Sequence, residues 1–229
     1  MCRAWRSPER GARWCSALAE PRYLVARTAP LTPSRSLDPT RYSGHMDANF
    51  LGDEISKVLV TEAELRDRLA EMAREVEADY PVDAPPLLVG VLKGAVMVMA
   101  DLARELRFHA EMDWMAVSSY GASTKSSGVV RILKDLDTEI AGRDVLIVED
   151  IIDSGLTLSW LKENLESRGA KSVRILAMLR KPEAAKIEVD VAYVGFDIPA
   201  DFVVGYGLDY AERYRNLRDV AVLAPHVYS

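Results

Sequence analysis

The chain has 229 residues, of which 49% are apolar and 28% charged, enough for one α/β domain with an appendage and a packed core. No apolar run reaches the length of a bilayer span, which excludes membrane-spanning helices and gives no reason to expect a membrane partner. The formal charge of -6 argues against nucleic acid as the principal partner.

Residues 1–45 depart from that average. They hold eight Arg, no Lys and three acids (+5), leaving -11 for residues 46–229. Both cysteines, Cys2 and Cys15, and five of the eleven prolines also lie there. Residues 46–229 therefore offer no disulfide, thiolate zinc site or cysteine nucleophile. An Arg-, Ser- and Pro-rich stretch without periodicity reads as a disordered leader. Such a leader suits an organelle transit peptide or a start codon assigned too early. Met46 opens a far more protein-like segment and favours the second reading. The apolar stretch of a secretory signal is missing. The expectation is a leader over 1–45 and one domain over 46–229.

Thr61-Glu62-Ala63-Glu64 has the form of a capping box, and Leu65, Leu69, Met72 and Val76 follow at helical spacing until Tyr80-Pro81. Leu87 to Leu92 predicts a buried strand broken by Lys93-Gly94, with a helix over Ala95 to Leu106. A cation and a glycine at a strand's carboxyl end can grip an anion, although Lys-Gly is also a common turn. His109 stands alone and carries no chemistry. Ala110 to Tyr120 and Val129 to Leu133 are strand patterns, with Trp114 facing the core. Between them Ser119-Tyr120-Gly121 to Gly128 is polar and glycine-flanked, on composition alone a hairpin tip.

The richest stretch is Asp144 to Thr157, D-V-L-I-V-E-D-I-I-D-S-G-L-T. Val145 to Val148 predict a strand buried on both faces, as in a parallel sheet. Glu149 and Asp150 end the run. Adjacent strand residues point oppositely, so the strand must stop at this pair if both carboxylates are to converge. Asp153-Ser154-Gly155-Leu156-Thr157 then opens a helix carrying Leu158, Leu161 and Leu165 on one side. A helix start offers unpaired N–H groups and the positive end of the dipole, which suits a phosphate. Gly155 allows a tight turn, and the Ser154 and Thr157 hydroxyls add donors. The plainer alternative has Asp153 or Ser154 capping the helix with the acids solvated. Three acids and a phosphate nest after one buried strand, where parallel sheets bind ligands, weigh against it. No Walker loop is present.

Gly169 caps the helix ending near Arg168. Val173 to Leu179 and Val189 to Val194 read as further strands, Lys181 following the first of them. Strands alternate with helices over residues 87–180, predicting a central parallel twisted sheet with flanking helices. Downstream come Phe202, Asp209 and Arg215. A planar heterocycle needs an aromatic face and polar groups at its rim. Spacing alone makes Phe202 core, Lys181 solvated and Asp209 a turn residue.

E-D-I-I-D-S-G-L-T resembles the phosphoribosyl diphosphate motif of the type I phosphoribosyltransferases, in its hypoxanthine–guanine phosphoribosyltransferase version. F-V-V-G-Y-G-L-D-Y and E-R-Y-R-N-L are similar to that family's C-terminal signature. The likeness runs from about Ile55 to the C-terminal end. It implies an α/β fold with a small hood over the base, made from the terminal segments. It also implies transfer of a phosphoribosyl group from 5-phosphoribosyl diphosphate to N9 of hypoxanthine or guanine, with Mg2+.

By the same likeness Glu149 and Asp150 would hold ribose hydroxyls and metal, and Asp153 would exchange the proton at purine N7. Asp153, Ser154, Gly155, Leu156 and Thr157 would seat the 5′-phosphate. Lys93 and Gly94, in a loop that often carries a non-proline cis peptide in this family, would bind pyrophosphate with Arg215. Lys181 would bond the purine 6-oxo group, Phe202 would stack on the ring and the Val203 backbone would face its 2-position. Asp209 would hold a second metal beside the base, and Ser119-Tyr120 would belong to a mobile catalytic lid. The likeness also implies a cytoplasmic homodimer or homotetramer. Leu156 departs from relatives with a basic residue there, which shifts phosphate binding onto N–H and hydroxyl groups. A pyrimidine-operon regulator of the same fold, binding RNA, is the rival outside enzymes. A xanthine-preferring relative is the rival within them, and an adenine-specific one is disfavoured because that family lacks an acid at the Asp153 position.

Overall fold

Thr61 accepts from the Glu64 N–H while the Glu64 carboxylate accepts from the Thr61 N–H, so the expected capping box forms and launches a long helix. The structure, a computed structural model, describes residues 46–119 and 130–228. The Arg-rich leader and Tyr120 lie outside the described residues. In chain order, α1 (Ala48–Leu51), β1 (Ile55–Val60) and α2 (Glu62–Asp79) come first. They lead into β2 (Leu87–Leu92), α3 (Val96–Glu105), β3 (Met112–Ser119) and β4 (Val130–Lys134). Then follow β5 (Asp144–Ile152), α4 (Leu156–Ser167), β6 (Ser172–Arg180) and β7 (Tyr193–Asp197). Last are β8 (Val203–Val204), β9 (Val220–Leu223) and α5 (Pro225–Tyr228).

Six strands form the main sheet in the order β4-β3-β2-β5-β6-β7. All neighbours run parallel except β4, which returns beside β3 as a hairpin. Alternation along β5 feeds two cores. Leu146 and Val148 join Leu65, Leu69 and Met72 of α2 and Val98, Met99 and Leu102 of α3. Val145 and Ile147 join Leu158, Leu161 and Leu165 of α4. Each such side chain, fully buried, contributes about 1.5–3 kcal/mol of transfer free energy. The sheet is thus a middle layer, with α2 and α3 on one face and α4 on the other.

A second, three-stranded antiparallel sheet, β1-β9-β8, joins the two ends of the described chain as the hood. The Tyr214 hydroxyl donates to the Glu54 carboxylate within it. Two expectations need correction. The strand placed at Val189 to Val194 is displaced to Tyr193–Asp197. Val189 and Val191 pack on the α4-side core instead of joining the ladder, and Ile187 and Glu188 are exposed. β5 also does not stop at the acid pair. It stays paired with β6 as far as Ile152 opposite Arg180.

Candidate active site

Because β5 continues, Glu149 and Asp150 leave it on opposite faces. Glu149 lines a cleft of about 250 Å3 with Asp153, Ser154, Gly155 and Thr157, walled by Val91, Val117, Ile151, Ile152 and Leu158. Asp150 points to the other side, against the Lys93-Gly94 turn, where a Cβ on Gly94 would stand 1.8 Å from its Oδ2. Glycine is needed there because the carboxylate rests on the backbone. The two acids therefore straddle the strand rather than meeting beside it.

Gly155 is the residue flanking the start of α4, at φ +78°, and no side chain caps the helix. The capping part of the plainer alternative, with Asp153 or Ser154 as the cap, therefore fails, while Asp153 is open to solvent as that alternative had it. Among the described residues the exposed Asp153 carboxylate makes no hydrogen bond. The first-turn N–H groups of α4 are left for an anion. The turn is braced from behind, since the Ser154 carbonyl accepts from the N–H groups of Lys186 (3.0 Å) and Ile187 (3.3 Å). A Cβ on Gly155 would lie 2.6 Å from the Ile187 carbonyl oxygen.

A second cluster gathers around Asp150. The Leu92–Lys93 peptide is cis, as the resemblance implies. Lys93 Nζ stands 3.0 Å from both carboxylate oxygens of Glu212. Arg215 Nη2 lies 2.7 Å from Asp209 Oδ1 and 3.4 Å from Glu212 Oε2, and its Nη1 donates to the Gly207 carbonyl. Arg215 Nε is buried without a partner among the described residues. Gly207 in turn rests on the Gly94 carbonyl, so the two loops meet backbone to backbone. Lys93, Gly94, Asp150, Asp209 and Arg215, widely separated in sequence, are brought together.

At the base end Lys181 follows β6, and its N–H donates to the Ile152 carbonyl at 2.9 Å, tying it to the end of β5. Val203 is buried and pairs with Val222 of β9. Phe202 is 41% exposed. Its ring stacks on Tyr228 (centroids 5.1 Å apart, 27° between planes) and meets Tyr210 edge-on at 5.7 Å. Lys181, Phe202 and Val203 do not line the small cleft. Leu156 is half-buried at the start of α4 and is not a cleft wall either. Ser119 ends β3 at the edge of the described residues.

Burial dominates the electrostatics. It holds the Glu149 carboxyl well above the usual carboxylate range, with the Asp150 charge adding to the effect. Burial pushes Asp150 up to about 6, opposed by the Ile151 N–H and the Arg215 charge and reinforced by Asp209. Among the described residues no group of three or more His, Cys, Asp or Glu is arranged to hold a metal. Magnesium does not require one, because it takes one or two carboxylates and completes its shell with substrate oxygens and water. Asp150, raised by burial and by the nearby Asp209 charge, is a carboxylate that a divalent cation relieves, with Asp209 as a second donor on that side of β5, and Glu149 offers a carboxylate on the cleft side, so the residues fit.

The family model of the phosphoribosyl transferase domain matches residues 60–211, from the last residue of β1 to the loop holding Asp209. The chain belongs to the phosphoribosyltransferase family. A hypoxanthine-guanine phosphoribosyltransferase of Mycobacterium avium is 57% identical over 186 residues, 79% of this chain and 92% of the relative. One of Bacillus subtilis is 54% identical over 175 residues, covering 76% and 97%. Among solved structures, a hypoxanthine phosphoribosyltransferase of Staphylococcus aureus superposes with a TM-score of 0.75 at 43% identity, covering 79% and 97%. No helix among the described residues of this phosphoribosyltransferase is long and apolar enough to cross a membrane. The sequence did not mark the apolar cleft walls, Ile151 among them, nor Glu212 on Lys93 and Tyr228 on Phe202. Ile151 is marked only by its place in the motif, and Glu212 and Tyr228 by nothing local, since their partners are remote in sequence.

Proposed function

We propose that this phosphoribosyltransferase moves the phosphoribosyl group of 5-phosphoribosyl diphosphate to N9 of hypoxanthine or guanine and releases pyrophosphate. The observation that carries this reading is the uncapped start of α4, opening onto a cleft shared by Asp153, Ser154, Thr157 and Glu149. The names of its relatives support the choice of base.

A ribosyl carbon losing its leaving group passes through an oxocarbenium-like state, as in glycoside hydrolysis. The N–H groups of the α4 first turn, with the Ser154 and Thr157 hydroxyls, hold the 5′-phosphate and align that carbon. Leu156 adds a backbone donor but no charge. Glu149, from the cleft face of β5, and Asp150, from the other, take the ribose hydroxyls. Lys93, the Gly94 backbone and Arg215 neutralise the departing pyrophosphate. Glu149 and Asp150 would hold Mg2+ beside the ribose hydroxyls and Asp209 a second Mg2+, whose charge, when bound, assists the same departure. Lys181 bonds the 6-oxo group, Phe202 offers its ring face and the Val203 backbone borders the 2-position. Asp153 takes or returns the proton at purine N7. Ser119 and Tyr120 belong to the segment that would exclude water from the cation. The reading includes a cytoplasmic enzyme working as a homodimer or homotetramer.

Purified protein supplied with 5-phosphoribosyl diphosphate and Mg2+ is expected to release pyrophosphate with hypoxanthine and guanine, and not with adenine. Removing the metal with a chelator should abolish the release. A preference for xanthine would revise the base assignment, and release with no oxopurine would remove the activity.

A further inference from the structure

Lys93 and Arg215 approach from different loops, yet one carboxylate touches both. Glu212 places Oε1 and Oε2 each 3.0 Å from Lys93 Nζ, and Oε2 3.4 Å from Arg215 Nη2. Glu212 is exposed and faces two cations, so it carries an ordinary carboxylate charge at neutral pH. It is also held in reach by its own backbone. At φ +62° its N–H donates to Asp209 Oδ2 at 2.8 Å, so the turn forms without help from the side chain.

We propose that Glu212 is an internal competitor for the pyrophosphate subsite, its carboxylate occupying the two cations until a diphosphate displaces it. The inference rests on the assignment of Lys93 and Arg215 to pyrophosphate. A diphosphate carries more charge and more acceptor oxygens than one carboxylate, so it wins the exchange. The ion pair with Lys93 is weak enough to yield, because both side chains are more than 60% exposed and screened. When the product leaves, the carboxylate returns to the same cations. They are never left bare, and pyrophosphate is held less tightly than the two cations alone would hold it.

The test is titration of inorganic pyrophosphate with Mg2+ into the full chain by calorimetry, alongside steady-state kinetics. Glu212→Gln keeps the size and the backbone donor but removes the charge. It is expected to tighten pyrophosphate binding and lower the KM for 5-phosphoribosyl diphosphate by about two- to fivefold, leaving the KM for the purine unchanged. Glu212→Asp, whose shorter arm cannot span both cations, should fall between. Asp53→Asn removes an equal charge from the exposed turn ahead of β1 and should change pyrophosphate affinity less than twofold, which separates a contact from a general field. Unchanged or weaker pyrophosphate binding in a folded Glu212→Gln protein overturns the proposal. So does an equal gain in Asp53→Asn. The titration needs no turnover, so a protein that binds pyrophosphate this way but makes no nucleotide would sink the proposed function and spare the competitor.

Discussion

Asp150 carries a charge that its burial disfavours. Burial raises its carboxyl to about 6, so the folded protein binds that proton more tightly than the unfolded chain does. Its contribution to stability is full below about pH 4 and is lost as the pH rises through 6. In metal-free protein Asp150→Asn should therefore raise stability at pH 8 by on the order of 1–3 kcal/mol, and by little at pH 4. Chelator-treated melting curves at the two pH values check this, and turnover of the variant should fall sharply. Residues of this kind were legible in the sequence because type and place coincide: acids after a buried strand, a lysine and glycine after another. Glu212 and Tyr228 were not, because an exposed Glu and a Tyr near the C-terminal end acquire meaning only from Lys93 and Phe202.

At the scale of elements, the turn between β5 and α4 is where local rules and the proposed function coincide. Gly155 is left-handed and touches the Ile187 carbonyl, so Gly155→Ala meets both a backbone penalty and a collision. It should destabilise the protein by about 1–3 kcal/mol and raise the KM for 5-phosphoribosyl diphosphate. The capping box is the contrasting case. Thr61→Ala should cost about 0.5–2 kcal/mol in denaturant unfolding and leave both KM values unchanged, since it supports only the start of α2. β2, α2, α4 and β6 could be read from periodicity and caps because their signals are local. The end of β5 could not, because pairing with Arg180 extends it through charged residues. β7 moved because Val189 and Val191 found core contacts outside the ladder, and apolar residues alone do not say which kind of burial they serve.

For the whole molecule, the parallel sheet followed from alternation of strands and helices, whereas the hood's strand order depends on contacts that no local pattern carries. β1 meets β9 across most of the described chain, and Tyr214 anchors that junction on Glu54. Tyr214→Phe should lower stability by about 1–3 kcal/mol, read as a drop in melting temperature of several degrees. Only this long-range closure brings Asp209 and Arg215 over the Lys93-Gly94 loop. The central claim, however, is that the exposed turn after β5 performs the proton chemistry and does not merely start a helix. Turnover with hypoxanthine and melting temperature of Asp153→Asn, measured side by side, test it most directly. A loss of about 10²–10⁴-fold in turnover at an unchanged melting temperature is the predicted result. Near-normal turnover, or a large melting loss without a catalytic one, would contradict it.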